Sequence, residues 1–265
     1  MATAPRWNRL LITGASGRLG TRLRTGLRDL AQHLRVTDVR ELGPVAEDEE
    51  RVQADLGDMA SVLPLLQAVD VVIHLGAVMP QAPWDAVLNA NIVGSYNLFE
   101  AARQAGVRRI VYASSHHAVG MYGTTEALDA DSPPRPDTLY GLSKAFGENL
   151  ARMYHDKHGI EVACLRIGSC FEHPSEQRML STWLSHGDMV QLCRRCLEVP
   201  RLAYSVVYGV SDNSRRWWHN HKTGFLGFQP QDSADAFDGL VPLDEASGTD
   251  PSARLQGGRF TQLIP

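Results

Sequence analysis

Two hydrophobic rhythms alternate along the first two thirds of the chain. Short, largely apolar runs at Leu10–Thr13, Leu34–Asp38, Val71–Leu75, Arg109–Ala113 and Val162–Ile167 have the length and β-branched content of buried strands, with Gln53–Leu56 a shorter third in that series. Between them Leu19, Leu23, Leu27 and Leu30 recur at helical spacing, and Val62–Leu66, Ile92–Ala105 and Leu139 to about His158 read as further helices. Such alternation predicts βαβ units, and right-handed crossovers make them an α/β, doubly wound parallel sheet with helices on both faces. The stretch Asp129–Asp137, with Pro133, Pro134 and Pro136, must be an irregular loop. The last third differs: helical stretches near Leu180–Ser185 and Met189–Val199, the apolar run Tyr204–Val210, an aromatic-rich segment and a polar tail. The expected organisation is a core over residues 1–170 and a small C-terminal lobe over 171–265 that does not fold independently.

Composition narrows the classes without choosing among them. The 265 residues carry 26 basic and 30 acidic side chains, a net charge of −4, so no concentrated basic surface marks a nucleic-acid partner. No apolar run approaches the length of a membrane span, and Leu10-Leu11-Ile12 is too short for a signal peptide, which sets cytoplasmic location as the expectation. Cys164, Cys170, Cys193 and Cys196 are too few and scattered for a disulfide framework. Cys193 and Cys196 form a C-x-x-C, but it lies in a predicted helix with no second ligand pair, so idle buried thiols are expected and no metal.

The first strand runs into Gly14-Ala15-Ser16-Gly17-Arg18-Leu19-Gly20, a variant of the dinucleotide fingerprint because its glycines are three apart. Glycines there permit the turn and let backbone amides approach a pyrophosphate at the helix N-terminus. Asp38 ends the second strand, where a carboxylate accepts from both ribose hydroxyls and repels a 2′-phosphate, favouring NAD; Arg40 nearby is the residue that could reverse this. Asp55 and Leu56 are placed at the adenine, and Leu75, Gly76, Ala77, Asn91 and Ile167 complete the candidate cofactor contacts with Arg18 and Leu19.

Tyr140 and Lys144 share one face of a helix at i and i+4. Oxidising an alcohol requires a group to take the hydroxyl proton, and an ammonium beside a tyrosine favours the phenolate. Ser115, at a strand end, is positioned to orient that hydroxyl.

Glycine pattern, Asp38, Leu75-Gly76-Ala77, Ser114-Ser115 and Tyr140-Gly141-Leu142-Ser143-Lys144 together resemble the extended short-chain dehydrogenase/reductase family, whose fold is Rossmann-type. Within it, Arg135-Pro136-Asp137, Gly147–Tyr154, Arg166–Cys170, Arg178–Trp183 with Ser185-His186, Gly224–Phe228 and Gln256-Gly257-Gly258 resemble bacterial uronate dehydrogenases. The resemblance implies NAD-dependent oxidation of glucuronate or galacturonate at C1 with Tyr140 as base, Lys144 on the nicotinamide ribose and Ser115 on the substrate. It further implies that Arg178 holds the sugar carboxylate, that Ser169 and His117 line the pocket, and that the chain is a homo-oligomer. Two positions bordering the sugar depart from the family, His116 in place of the usual Asn and Met79 in place of a common Ser, so the preferred sugar stays open. The rival readings are a nucleotide-sugar epimerase or dehydratase and a non-catalytic NAD sensor. Trp217-Trp218-His219-Asn220-His221 is expected to pack the lobe, and Glu47-Asp48-Glu49-Glu50 to be a solvated loop.

Overall fold

The computed structural model describes residues 6–44, 46–242 and 251–263, so the extreme N-terminus and part of the expected polar tail lie outside the described residues. The elements in chain order are β1 (Trp7–Thr13), α1 (Arg18–Gly26), β2 (Ala31–Thr37), β3 (Glu49–Arg51), α2 (Met59–Leu65), β4 (Val71–His74), α3 (Trp84–Ala86) and α4 (Gly94–Ala105). They continue with β5 (Arg109–Ser115), α5 (Leu139–His158), β6 (Glu161–Ile167), β7 (Ser169–Cys170), α6 (Met179–Thr182), β8 (Trp183–Leu184), α7 (His186–Glu198) and β9 (Tyr204–Gly209). A π-helical stretch, Val87–Val93, joins α3 to α4.

Seven strands form one parallel sheet in the order β3-β2-β1-β4-β5-β6-β9. Strand order reverses at β1, so successive crossovers leave on opposite faces and a crevice opens at the strands' C-terminal ends. Apolar side chains fill both faces. Leu10, Ile12, Leu23, Val36, Leu165 and Leu192 pack under α1 and α7. Leu11, Val62, Val72, Leu98, Ile110 and Ala151 pack under α2, α4 and α5. This is the Rossmann-type fold expected from the alternation.

Three local expectations change. The third strand is Glu49–Arg51, not Gln53–Leu56, and pairs with β2 through Leu34↔Glu49 and Val36↔Arg51. It is an edge strand made of charges, which hydrophobic pattern cannot detect. Glu49 therefore is not in a solvated loop: its side chain is 3% exposed and accepts from Arg24 Nη2 at 2.6 Å, while Glu50 accepts from Arg35 at 2.8 Å. The stretch Leu180–Ser185 is only partly helical, because Trp183 and Leu184 leave α6 to pair with β7. Inside the span expected to form the C-terminal lobe, α7 packs on the α1 face and β9 pairs with β6 to complete the sheet.

Candidate active site

A cavity of about 840 Å³ lies at the C-terminal ends of β1, β4, β5 and β6. Its adenosine end is built from the β1–α1 turn. Gly14 has φ +65°, and a Cβ there would lie 2.8 Å from the Gly76 nitrogen, so only glycine fits between the two turns. Gly17 N–H donates to the Gly14 carbonyl at 3.1 Å, and Gly17, Arg18, Leu19 and Gly20 continue along the wall. The Arg18 guanidinium lies 4.0 Å from the centroid of the Phe171 ring, a wall residue the sequence did not suggest.

Asp38 accepts from the Ser16 and Arg40 amides, each at 3.1 Å. Burial alone would raise its carboxyl, but these hydrogen bonds outweigh it and hold the group below its ordinary value, ionised. Arg40 sits beside it with Nε 3.6 Å away and its side chain 67% exposed. Asp55, Leu56, Leu75, Gly76, Ala77 and Ile167 line the same cavity. Asn91 does not. Its Oδ1 accepts from Val78 N–H at 2.8 Å and its Nδ2 donates to Ser143 Oγ at 3.0 Å, so it ties the π-helical stretch to α5 beneath the cavity. A helix N-terminus with a glycine-only approach and an ionised strand-end carboxylate suits a dinucleotide's pyrophosphate and ribose.

At the other end, β5 stops at Ser115 and α5 begins one loop later. Thr138 caps that helix, its Oγ1 accepting from Gly141 N–H at 3.0 Å, and so fixes Tyr140 and Lys144 over the β5 terminus. Lys144 is buried, donates to the Ala113 carbonyl at 2.8 Å, and holds its ammonium 5.4 Å from the Tyr140 ring centroid. Burial lowers Lys144 to about 7. Tyr140 as a residue is only half-buried, but around its phenol burial dominates and lifts it to about 12, against the Ser115 hydrogen bond that lowers it and with the Asp137 charge adding to the rise. The expected lowering of the tyrosine by the lysine is not seen: burial sets the direction for both groups.

His116, His117, Ser169 and Arg178 line the cavity beyond Tyr140, and Met79, 64% exposed, stands on its rim. His117 has a partner that the sequence reading did not assign. Its Nδ1 lies 2.7 Å from Asp137 Oδ2, and the Asp137 carboxyl is fully buried, its Oδ1 accepting from Thr138 Oγ1 at 3.0 Å. Phe260 packs edge-on against His117 with ring centroids 4.8 Å apart. Ser169 Oγ is 2.8 Å from Thr182 Oγ1. Arg178 Nη1 donates to the Gln256 carbonyl at 2.8 Å, and its Nε faces Glu176 at 3.4 Å. Asp137, Glu176, Gln256 and Phe260 could not be found by spacing, because they reach the site from three separate segments far apart in the chain.

Trp218 packs as expected, stacked on Tyr208 with centroids 5.4 Å apart, but it also stacks on His116 at 5.5 Å and donates from Nε1 to Gln256 Oε1 at 2.8 Å. Cys193 and Cys196 are buried in α7, and burial raises the Cys196 thiol to about 12. Among the described residues no group of three or more His, Cys, Asp or Glu side chains is placed to hold a metal ion.

The chain is similar to proteins of known activity. The NAD dependent epimerase/dehydratase family matches residues 10–218. A uronate dehydrogenase of Pseudomonas syringae pv. tomato is 44% identical over 98% of this chain and 95% of its own length. One from Agrobacterium fabrum is 48% identical over 95% and 96%. A mutant uronate dehydrogenase from Agrobacterium tumefaciens, solved in complex with NAD, superposes with a TM-score of 0.93 at 46% identity, covering 97% of this chain and 98% of that one.

Proposed function

The chain belongs to the NAD dependent epimerase/dehydratase family, and from that premise we propose that it oxidises the C1 hydroxyl of a hexuronate, glucuronate or galacturonate, to the aldarolactone with NAD. One observation carries the reading: a single cavity joins the Tyr140, Lys144 and Ser115 cluster to a largely enclosed arginine, Arg178, its side chain 14% exposed and suited to a carboxylate. NAD, when bound, supplies the hydride acceptor and a cationic ring at the catalytic end.

The residues then divide the work by position. Gly14, Gly17 and Gly20 admit the pyrophosphate, Asp38 takes the ribose hydroxyls, and Arg18 adds a positive charge at the turn. Arg178 grips the sugar carboxylate through its guanidinium edge, which orients C1 toward Tyr140. Ser115 donates to the C1 oxygen while the Tyr140 phenolate takes the anomeric hydroxyl proton, and Lys144 holds a positive charge behind that phenolate. Asp137 accepts the Nδ1–H of His117, which leaves Nε2 with a lone pair for a sugar hydroxyl. The partner is therefore a small sugar acid; among the described residues no helix is long and apolar enough to cross a membrane.

Mixing purified protein with NAD and a panel of sugars tests the reading. NADH absorbance should appear with glucuronate or galacturonate and not with nucleotide-sugars. Absence of signal with both uronates would overturn it. Retention of a nucleotide-sugar without turnover of a free uronate would favour the epimerase or dehydratase alternative instead.

A further inference from the structure

His116 lies on the cavity wall, yet neither of its ring nitrogens is left for a ligand. Nδ1 is 3.0 Å from the Ile167 carbonyl, an atom that only accepts, so the proton must sit on Nδ1. Nε2 then carries a lone pair, and that lone pair is 3.3 Å from Arg178 Nη1, a group that only donates. The ring is clamped between Trp218, stacked at 5.5 Å, and His117, whose centroid is 4.1 Å away. Burial, with His117 and Arg178 nearby, keeps this imidazole neutral, its titration pushed well below the usual range. On Arg178 the two hydrogens of Nη1 are both engaged, one by the Gln256 carbonyl at 2.8 Å and one by His116. The guanidinium plane is thereby fixed, and with Nε facing Glu176 at 3.4 Å it is Nη2 that remains to be offered to a carboxylate.

We propose that His116 is a positioning residue: its Nε2 lone pair and the Gln256 carbonyl together set the guanidinium plane of Arg178, so that His116 acts on the carboxylate end of the substrate without touching the sugar. This rests on the functional reading above and deepens it. His116 therefore governs affinity for the carboxylate, not the rate of proton removal at C1.

Two variants separate this from a general packing role. His116→Phe keeps a flat ring against Trp218 and removes the acceptor; His116→Gln brings an amide oxygen that can accept from Arg178. For the Phe variant KM for the uronate should rise about tenfold, the loss of one hydrogen bond to a charged group, with kcat and KM for NAD within about twofold of the parent. The Gln variant should return KM to within about threefold of the parent value. Crystal structures of the two variants read the same device without turnover: the Arg178 plane should rotate off the Gln256 carbonyl in Phe and stay on it in Gln. A Phe variant with unchanged KM, a fall in kcat at constant KM, a Gln variant as poor as Phe, or an unmoved guanidinium would each overturn the assignment. A parent enzyme that reduces no NAD with uronates would instead refute the functional reading, and the crystallographic arm would still decide the role of His116.

Discussion

Burial sets the terms on which Tyr140 acts. Its phenol is pushed up to about 12 while its neighbour Lys144 is pulled down to about 7, so burial disfavours the charged form of both. A base with a raised pKa is scarce at neutral pH and becomes more abundant as pH rises, so kcat/KM for oxidation should climb from pH 6 toward pH 9, with a slope approaching about tenfold per unit. A profile flat across that range would remove Tyr140 as the titrating base. Tyr140→Phe should keep NAD binding, read by titration of intrinsic fluorescence, and lose turnover by about a hundredfold or more. Asp137→Asn leaves the volume of the side chain almost unchanged but withdraws the charge that fixes the His117 tautomer. Loss of such a hydrogen bond costs about 1.5–3 kcal/mol, so kcat/KM should fall roughly ten- to a hundredfold while NAD affinity holds. The candidate pair on one helix face was legible because Tyr140 and Lys144 obey helical spacing. Asp137 and Gln256 were not, since they stand 20 and 78 positions from His117 and Arg178, and only the closed fold brings them together.

Behind the site, α5, β5, β6 and β9 are joined by a buried ion pair. Glu148 accepts from Ser114 Oγ at 2.6 Å and from Arg166 at 3.0 and 2.9 Å, and Arg166 also donates to Tyr208 Oη at 3.0 Å. Removing one charge of such a pair strands the other, which typically costs about 3–5 kcal/mol. Glu148→Gln and Arg166→Met should each lower the unfolding free energy read from urea titration by that amount, and the double substitution should cost less than the two singles combined; additivity would show that the pair does not act as one unit. A second guanidinium performs a different task at the start of β5. Arg109 Nη1 donates to the Cys196, Leu197 and Val199 carbonyls at 3.0, 3.1 and 2.8 Å, closing the last turn of α7. The elements that hydrophobic pattern located are those whose faces are buried on apolar neighbours. β3 escaped it because Arg24 and Arg35 hold its acids in place of apolar contacts, and β8 escaped it because a two-residue strand is too short to show any period.

At the scale of the whole molecule, several imidazoles are folded into places where a proton is unwelcome. Burial, reinforced by the Lys144 charge, lowers His74 to about 3, and His116 is likewise held well below its usual value. An unfolded chain titrates these groups near 6.5, so below that pH it binds protons that the native state refuses. The histidines' contribution to stability is then complete above pH 6.5 and falls as pH drops, by up to about 1.4 kcal/mol per unit for each of them. The lowered carboxyls, Asp38 and Glu49, have ordinary values of 3.8 and 4.5, so their losses begin only at lower pH and the interval from 6.5 to 5 belongs to the histidines. The melting temperature should decline across that interval, and less steeply in His74→Gln; an equal slope in the variant would exclude His74 as a source. The parallel, doubly wound sheet followed from alternation, whereas the packing of α7 on the α1 face and the pairing of β9 with β6 depended on contacts between distant parts of the chain. Finally, the close approach of Gly14 to Gly76 means that the glycine belongs to the architecture before it belongs to any ligand. A descendant that abandoned its coenzyme would still be obliged to keep it, or wedge two loops apart. Decay of the activity would pass unrecorded in that turn and would be written first at Tyr140.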